Sequence, residues 1–196
     1  MTVLCAEDGP VEYLTALSYL VASCLFLRAG MSSSTRSVWY WAYALLFFAV
    51  AGEEISWGQR LFDVATPEAL VQVNVQGELN LHNVDGVHQN VRAAACGLLL
   101  GICYVLPLLD GFGPRRFSVW LQSRRMPVFP LWASGIVTVG LLLMVTPRLF
   151  GQMYFDLDEL GELYLSIAFL AFGAHVSSFN PRRAEPALAF ARVYRG

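Results

Sequence analysis

No lysine occurs anywhere in the 196 residues; all thirteen basic side chains are arginine. Retinal and pyridoxal chemistry through a lysine Schiff base is therefore excluded. Charge of either sign is also scarce. Charged residues make up 14% of the chain, against about 25% in an ordinary soluble domain. The four cysteines form no metal-ligand spacing, and no H-E-x-x-H string is present. Cys24, Cys96 and Cys103 fall in apolar stretches, where a thiol behaves as a small apolar group. Cys96 and Cys103, seven apart, are expected on one helix face. Cys5 has no evident partner, so no disulfide framework is predicted. No internal repeat or heptad pattern occurs. The first twelve residues contain Glu7, Asp8 and Glu12 and no basic residue, so the first apolar stretch reads as an uncleaved span rather than a signal peptide.

Hydrophobic residues, by contrast, make up 56% of the chain. They gather in five stretches: 13–29, 38–55, 91–109, 131–146 and 162–179. Each approaches the roughly 20 residues that a bilayer core requires. The fold expected is all-α: a single polytopic bundle over residues 1–196, with five transmembrane helices and a short outer interfacial helix. Loop charge alternates between the two sides. Ten of the thirteen arginines follow the first, third and fifth stretches, whereas thirteen of the fifteen acids lie on the opposite side. The positive-inside rule then puts the N-terminus outside and the C-terminus in the cytoplasm of a plasma (bacterial inner) membrane. The expected surroundings are the lipid bilayer and other membrane subunits, with no nucleic acid.

The longest connection is 56–90. A structureless loop of that length is unusual in a compact fold. Thr66-Pro67-Glu68 supplies a helix start, with a hydroxyl cap, a first-turn proline and an acid at the positive dipole end. A helix is predicted over 67–76, ended by Gly77. On the other side, the 110–130 loop combines Phe117, Trp120 and Leu121 with four arginines. That composition predicts a short amphipathic piece on an anionic surface, and the basic tail from Asn180 is expected to rest there too.

Three polar segments carry candidate chemistry. The first is Gly52-Glu53-Glu54-Ile55-Ser56-Trp57-Gly58-Gln59-Arg60. Adjacent acids at the end of a span are costly unless partnered, and they mark candidate sites. Helical spacing would align Glu53, Ser56 and Arg60 on one stripe, with Glu54 about 100° around. A local Glu53–Arg60 pair, with Trp57 in the interfacial belt, is the structural alternative. The second segment spaces His82, Asp85 and His88 by three, a possible ligand stripe; equally, Asp85 would cap the third span. The third is Asp156-Leu157-Asp158-Glu159-Leu160-Gly161-Glu162. Asp156 or Asp158 suits a helix cap, whereas Glu162 lies a turn inside and shares a face with Glu159. Topology sets all three segments at one membrane level. His175, thirteen residues beyond Glu162, falls roughly 20 Å deeper at 1.5 Å per residue and stays outside any such site.

The strings E-E-I-S-W-G-Q-R (53–60) and N-x-Q-x-E-x-N-L-H-N (74–83) resemble those that mark an uncharacterised family of bacterial integral membrane proteins. That resemblance covers about a sixth of the chain; it implies common descent and supplies no mechanism. Membrane hydrolases of the alkaline ceramidase type also combine Glu, Ser, Asp and His around an intramembrane zinc. Their late H-x-x-x-H pair is absent here, where the fifth stretch has His175 alone.

The leading expectation is a metal-dependent hydrolase working on a lipid-like substrate at the outer face. Glu53, Glu54 and Ser56 are the catalytic candidates. Glu54, His82, His88, Glu159 and Glu162 are the ligand candidates. Arg60, Asn74, Gln76, Glu78, Asn80 and Asn83 are the substrate-binding candidates. An oxygen-rich set suits Mn, Fe, Mg or Ca, and Zn is compatible with His and Glu. A metal-bound water with a pKa near 7 makes hydrolysis feasible. The alternatives are a non-catalytic subunit of a larger membrane complex, and a carrier or channel. The last is disfavoured because five spans without a repeat do not suggest alternating access.

Overall fold

The computed structural model describes residues 9–31, 37–59, 61–74, 77, 79–80, 84, 88–150 and 156–178; at 88–93, 147–148 and 156 it describes the backbone alone. Among these residues every extended element is a helix: α1 (Pro10–Met31), α2 (Val38–Glu54), α3 (Glu68–Val71), α4 (His88–Leu100), α5 (Leu106–Phe112), α6 (Arg115–Ser123), α7 (Leu131–Phe150) and α8 (Asp156–Ser178). A π-helical turn, Gly101–Val105, joins α4 to α5.

Three helical stretches are long and apolar enough to cross a membrane: Pro10–Met31, Ala94–Phe112 and Leu157–Ser178. Leu131–Thr146 is a shorter apolar helix, and α2 has 17 residues. Large apolar side chains point outward along these helices, among them Leu45, Leu142 and Phe48. An outward apolar surface on this scale suits lipid better than water.

Helix α1 packs against α2 and α8, and α8 packs against α7. The centre is aromatic. Phe26 of α1 meets Phe172 of α8 edge to face at 4.9 Å and Tyr43 of α2 at 5.1 Å; Phe47 meets Phe169 at 4.9 Å. Phe129, just before α7, closes this group against Phe172 at 5.2 Å. Offset and edge-on pairs of this kind add stabilisation beyond the area they bury.

Where the backbones come closest, side chains are small or are hydroxyls. A Cβ on Gly140 would sit 2.9 Å from the Gly161 carbonyl oxygen, so α7 and α8 cross there with almost no gap. Ser23 Oγ of α1 donates to the Ala44 carbonyl of α2 at 2.7 Å. Ser134 Oγ of α7 donates to the Cys103 carbonyl inside the π turn at 2.7 Å, satisfying a backbone oxygen where the helical ladder is irregular. Membrane helices are held by such close approach and by interhelical hydrogen bonds, since lipid offers no hydrophobic drive between them.

The helices overrun the sequence-based limits at most ends. Helix α8 starts at Asp156, so Glu162 lies six residues inside it rather than opening it. Cys96 is exposed whereas Cys103 is fully buried. The expected common face is broken by the π turn, whose wider winding departs from the 3.6-residue register. The helix expected over 67–76 is a single turn, Glu68–Val71. Asn74 leaves it to form an isolated antiparallel bridge with Val84. Its side chain also bonds Asn80, local competition of the kind that ends helices at Asn. Thr66 does not cap that turn, because its hydroxyl donates to the Gly77 carbonyl at 2.6 Å. The amphipathic piece in the arginine-rich loop is α6, anchored by fully buried Leu121 with Phe117 and Trp120 stacked at 6.0 Å.

Candidate functional site

Helix α2 stops abruptly at the acidic pair. Three successive residues adopt left-handed backbone: Ser56 (φ 45°), Trp57 (φ 56°) and Gly58 (φ 76°). Only the last is a residue that takes this region at little cost. Strain at two non-glycine positions persists where surrounding contacts over-determine it, commonly at functional sites. The stripe of Glu53, Ser56 and Arg60 assumed a continuous helix and is lost at this turn; Arg60 itself lies outside the described residues.

The turn folds Trp57 back over its own helix. Trp57 Nε1 donates to Glu53 Oε1 at 2.7 Å, and a Cβ on Gly52 would meet the indole at 2.8 Å. Glycine at 52 is thus the space that the ring occupies. Beyond the turn, two hydrogen-bonded chains tie 53–59 to 66–80. Asn80 Nδ2 donates to Ser56 Oγ (3.1 Å), and Asn74 Nδ2 donates to both the carbonyl and Oδ1 of Asn80 (2.9 and 3.0 Å). Gln59 Nε2 donates to Thr66 Oγ1, and the Leu79 N–H donates to Gln59 Oε1 at 2.6 Å. Ser56, Asn74 and Asn80 are all buried. The two polar strings in the sequence are therefore halves of one folded unit.

The carboxylates converge from three helices. Glu54 of α2 lies within electrostatic reach of Glu162 and Glu159 of α8, Glu12 of α1 and its neighbour Glu53. Tyr19 of α1 lies beneath, within reach of Glu54 and Glu162. Its ring is buried between Phe47 and Phe169, with centroids at 6.1 and 6.2 Å. Glu12, Thr15 and Tyr19 recur at i, i+3 and i+7, one face of α1. Thr15 is 1% exposed, and its hydroxyl has no hydrogen-bond partner among the described residues. That sets it apart from Ser18, Thr138 and Thr146, each of which donates to the carbonyl four residues back. A buried hydroxyl without a partner normally costs about 1–3 kcal/mol.

Of the residues singled out in the sequence, the fold gathers Glu53, Glu54, Glu159 and Glu162 in one region, and links Ser56, Asn74 and Asn80 beside it. Gln76, Glu78, His82 and Asn83 lie outside the described residues, as does the side chain of His88. His175 is exposed in the last turn of α8. Among the described residues, no three His, Cys, Asp or Glu side chains form a ready metal-ligand group. Sequence reasoning missed Glu12, Thr15, Tyr19 and Gln59. The 12–15–19 spacing was the available signal for the first three; without the α1–α8 packing it reads as an ordinary amphipathic face. No protein-family model, curated protein or solved structure matches the chain.

Proposed function

We propose that this chain is a five-span membrane protein whose acidic end binds a divalent cation and hydrolyses a lipid-like substrate. In this reading α1, α2, α4–α5, α7 and α8 are the spans. The acidic end faces the exoplasm and the arginine-rich end the cytoplasm of a plasma membrane. The resemblance to the bacterial membrane family belongs to the same proposal. The observation that carries it is the convergence of Glu12, Glu54, Glu159 and Glu162 from three helices. Like charges gathered at a membrane edge are costly unless partnered, and a divalent cation would offset part of that cost.

The roles follow from placement. Glu54, Glu159 and Glu162, with His82 or His88, are the residues that would hold the cation. Mn, Fe, Mg or Ca suits the oxygen-rich set, and Zn a His-containing one. A cation held here would supply Lewis-acid chemistry, lowering the pKa of a bound water and polarising an ester or amide carbonyl. Glu53, oriented by Trp57, is the general-base candidate. Tyr19, within electrostatic reach of Glu54 and Glu162, would donate a hydrogen bond from below. Ser56, with Asn74 and Asn80, holds the turn that fixes the acids. Arg60, Gln76, Glu78 and Asn83 are the remaining candidates for contact with a polar headgroup.

Metal analysis of detergent-purified protein tests the reading. Stoichiometric metal is expected in the wild type and loss of it in Glu54→Gln and His88→Ala, with His175→Ala unchanged. A metal-free protein whose melting responds to neither chelator nor added cation would remove the enzyme reading in favour of a non-catalytic subunit. Orientation is tested separately in intact cells: a cysteine at position 120, in a background without the native cysteines, should resist an impermeant reagent.

A further inference from the structure

The opposite end of the bundle carries two cavities of different chemistry. One, of about 670 Å³, is lined by Ser37, Val38, Trp39, Trp120, Ser123, Arg124 and Arg125. The other, of about 380 Å³, runs between α2 and the α4–α5 helix. Trp39, Leu46, Gly97, Gly101, Val105 and Met126 are among its almost wholly apolar walls. Trp39 lines both, so the basic pocket adjoins the apolar groove. The chain itself makes the same transition. Arg125, in left-handed backbone (φ 49°), faces the first cavity, and the next residue, Met126, lines the second. Ser37 Oγ donates to the Arg124 carbonyl at 3.0 Å and so fastens this corner to the start of α2.

The groove has a backbone floor. A Cβ on Gly97 or Gly101 would meet nothing within 4 Å. Gly101 also opens the π-helical turn, a distortion frequent at functional positions. The two cavities together present a cationic, tryptophan-flanked head end and an apolar groove alongside a helix long enough to cross a membrane. Arginine pairs favour phosphate oxygens, and tryptophan favours the headgroup boundary.

We propose that this end binds a phospholipid with an anionic headgroup, its phosphate against Arg124 and Arg125 and one acyl chain in the groove between α2 and α4–α5. Gly97 and Gly101 also form a small-xxx-small pair, which elsewhere packs helices together. A second copy is the poorer occupant here. Parallel copies in one membrane would set their arginine-rich ends side by side, and the 110–130 loop has Asp110 as its sole acid against four arginines.

Thermal melting and native mass spectrometry of the full chain in detergent test the proposal. The probes are phosphatidylglycerol and phosphatidylcholine of matched chains, and glycerol phosphate. Phosphatidylglycerol should bind at least about tenfold more tightly than phosphatidylcholine and raise the melting temperature. Arg124→Gln/Arg125→Gln should abolish the preference. Gly101→Leu, or Gly97→Leu if the first fails to fold, should weaken both lipids about equally and keep the preference. Equal binding of the two lipids, or a preference that survives loss of both arginines, would overturn it. So would glycerol phosphate competing as well as the whole lipid, or dimers that Gly97→Leu dissolves.

Discussion

The two ends of this bundle handle charge in opposite ways. At the acidic end, Glu12, Glu54, Glu159 and Glu162 come from three helices and converge beside a buried asparagine–serine chain and a strained turn. At the basic end, Arg115, Arg116, Arg124 and Arg125 come from one loop and are exposed. Exposed arginines need only an anionic surface nearby, and each is worth about 1 kcal/mol there. Gathered acids need something specific, because tertiary packing works against their repulsion. Charge placed by local sequence suits an anionic lipid that comes to it; charge assembled by the fold against its own cost suits a bound cation.

If the acidic end is the over-determined one, losses there should exceed losses at the basic end. Asn80→Leu takes the donor from Ser56 Oγ and leaves the Asn74 amide with the residue-80 backbone carbonyl alone, and should cost about 2–3 kcal/mol. Ser37→Ala removes the α2 cap at the basic end and should cost about 1 kcal/mol. Reversible unfolding in mixed micelles would compare them, and equal losses would erase the contrast. Gly52→Ala and Gly111→Ala make a second comparison between the ends. The first drives a methyl into the Trp57 ring and should cost about 2 kcal/mol. The second meets nothing within 4 Å and should be neutral or stabilising by up to about 1 kcal/mol. A change at the acidic end with a stabilising sign sharpens the contrast further. Thr15→Val removes an orphaned hydroxyl and should stabilise the cation-free protein by about 1 kcal/mol. The same substitution should weaken cation binding, which a calorimetric titration with Mn²⁺ would read.

Much of the helical layout was legible because apolar length and turn residues are local signals. The starts at Val38 and Leu131 and the amphipathic α6 needed nothing more. The acids at positions 53, 54, 159 and 162 stood out for the same reason, being charges at the edges of apolar runs. Three features were not legible. A continuous helical stripe through Ser56 failed because the left-handed turn is set by Asn80 and Gln59, whose partners are distant in sequence. The 67–76 helix failed because β-branched Val71 and Val73 favour helix weakly and Asn74 finds side-chain partners elsewhere. Glu12, Thr15 and Tyr19 acquire meaning only once α1 lies between α2 and α8.

The central claim is that the carboxylates of α2 and α8 share one site and one cation. A double-mutant cycle on Glu54→Gln and Glu162→Gln, followed by unfolding at pH 8 with chelator and again with saturating Mn²⁺, tests it most directly. With chelator, each substitution should stabilise by relieving repulsion, and the pair should gain less than the sum of the two. With Mn²⁺, each should instead destabilise, because the cation no longer binds the native state fully. Strictly additive changes of unaltered sign under both conditions would show that the two acids act alone, and the shared site would fall.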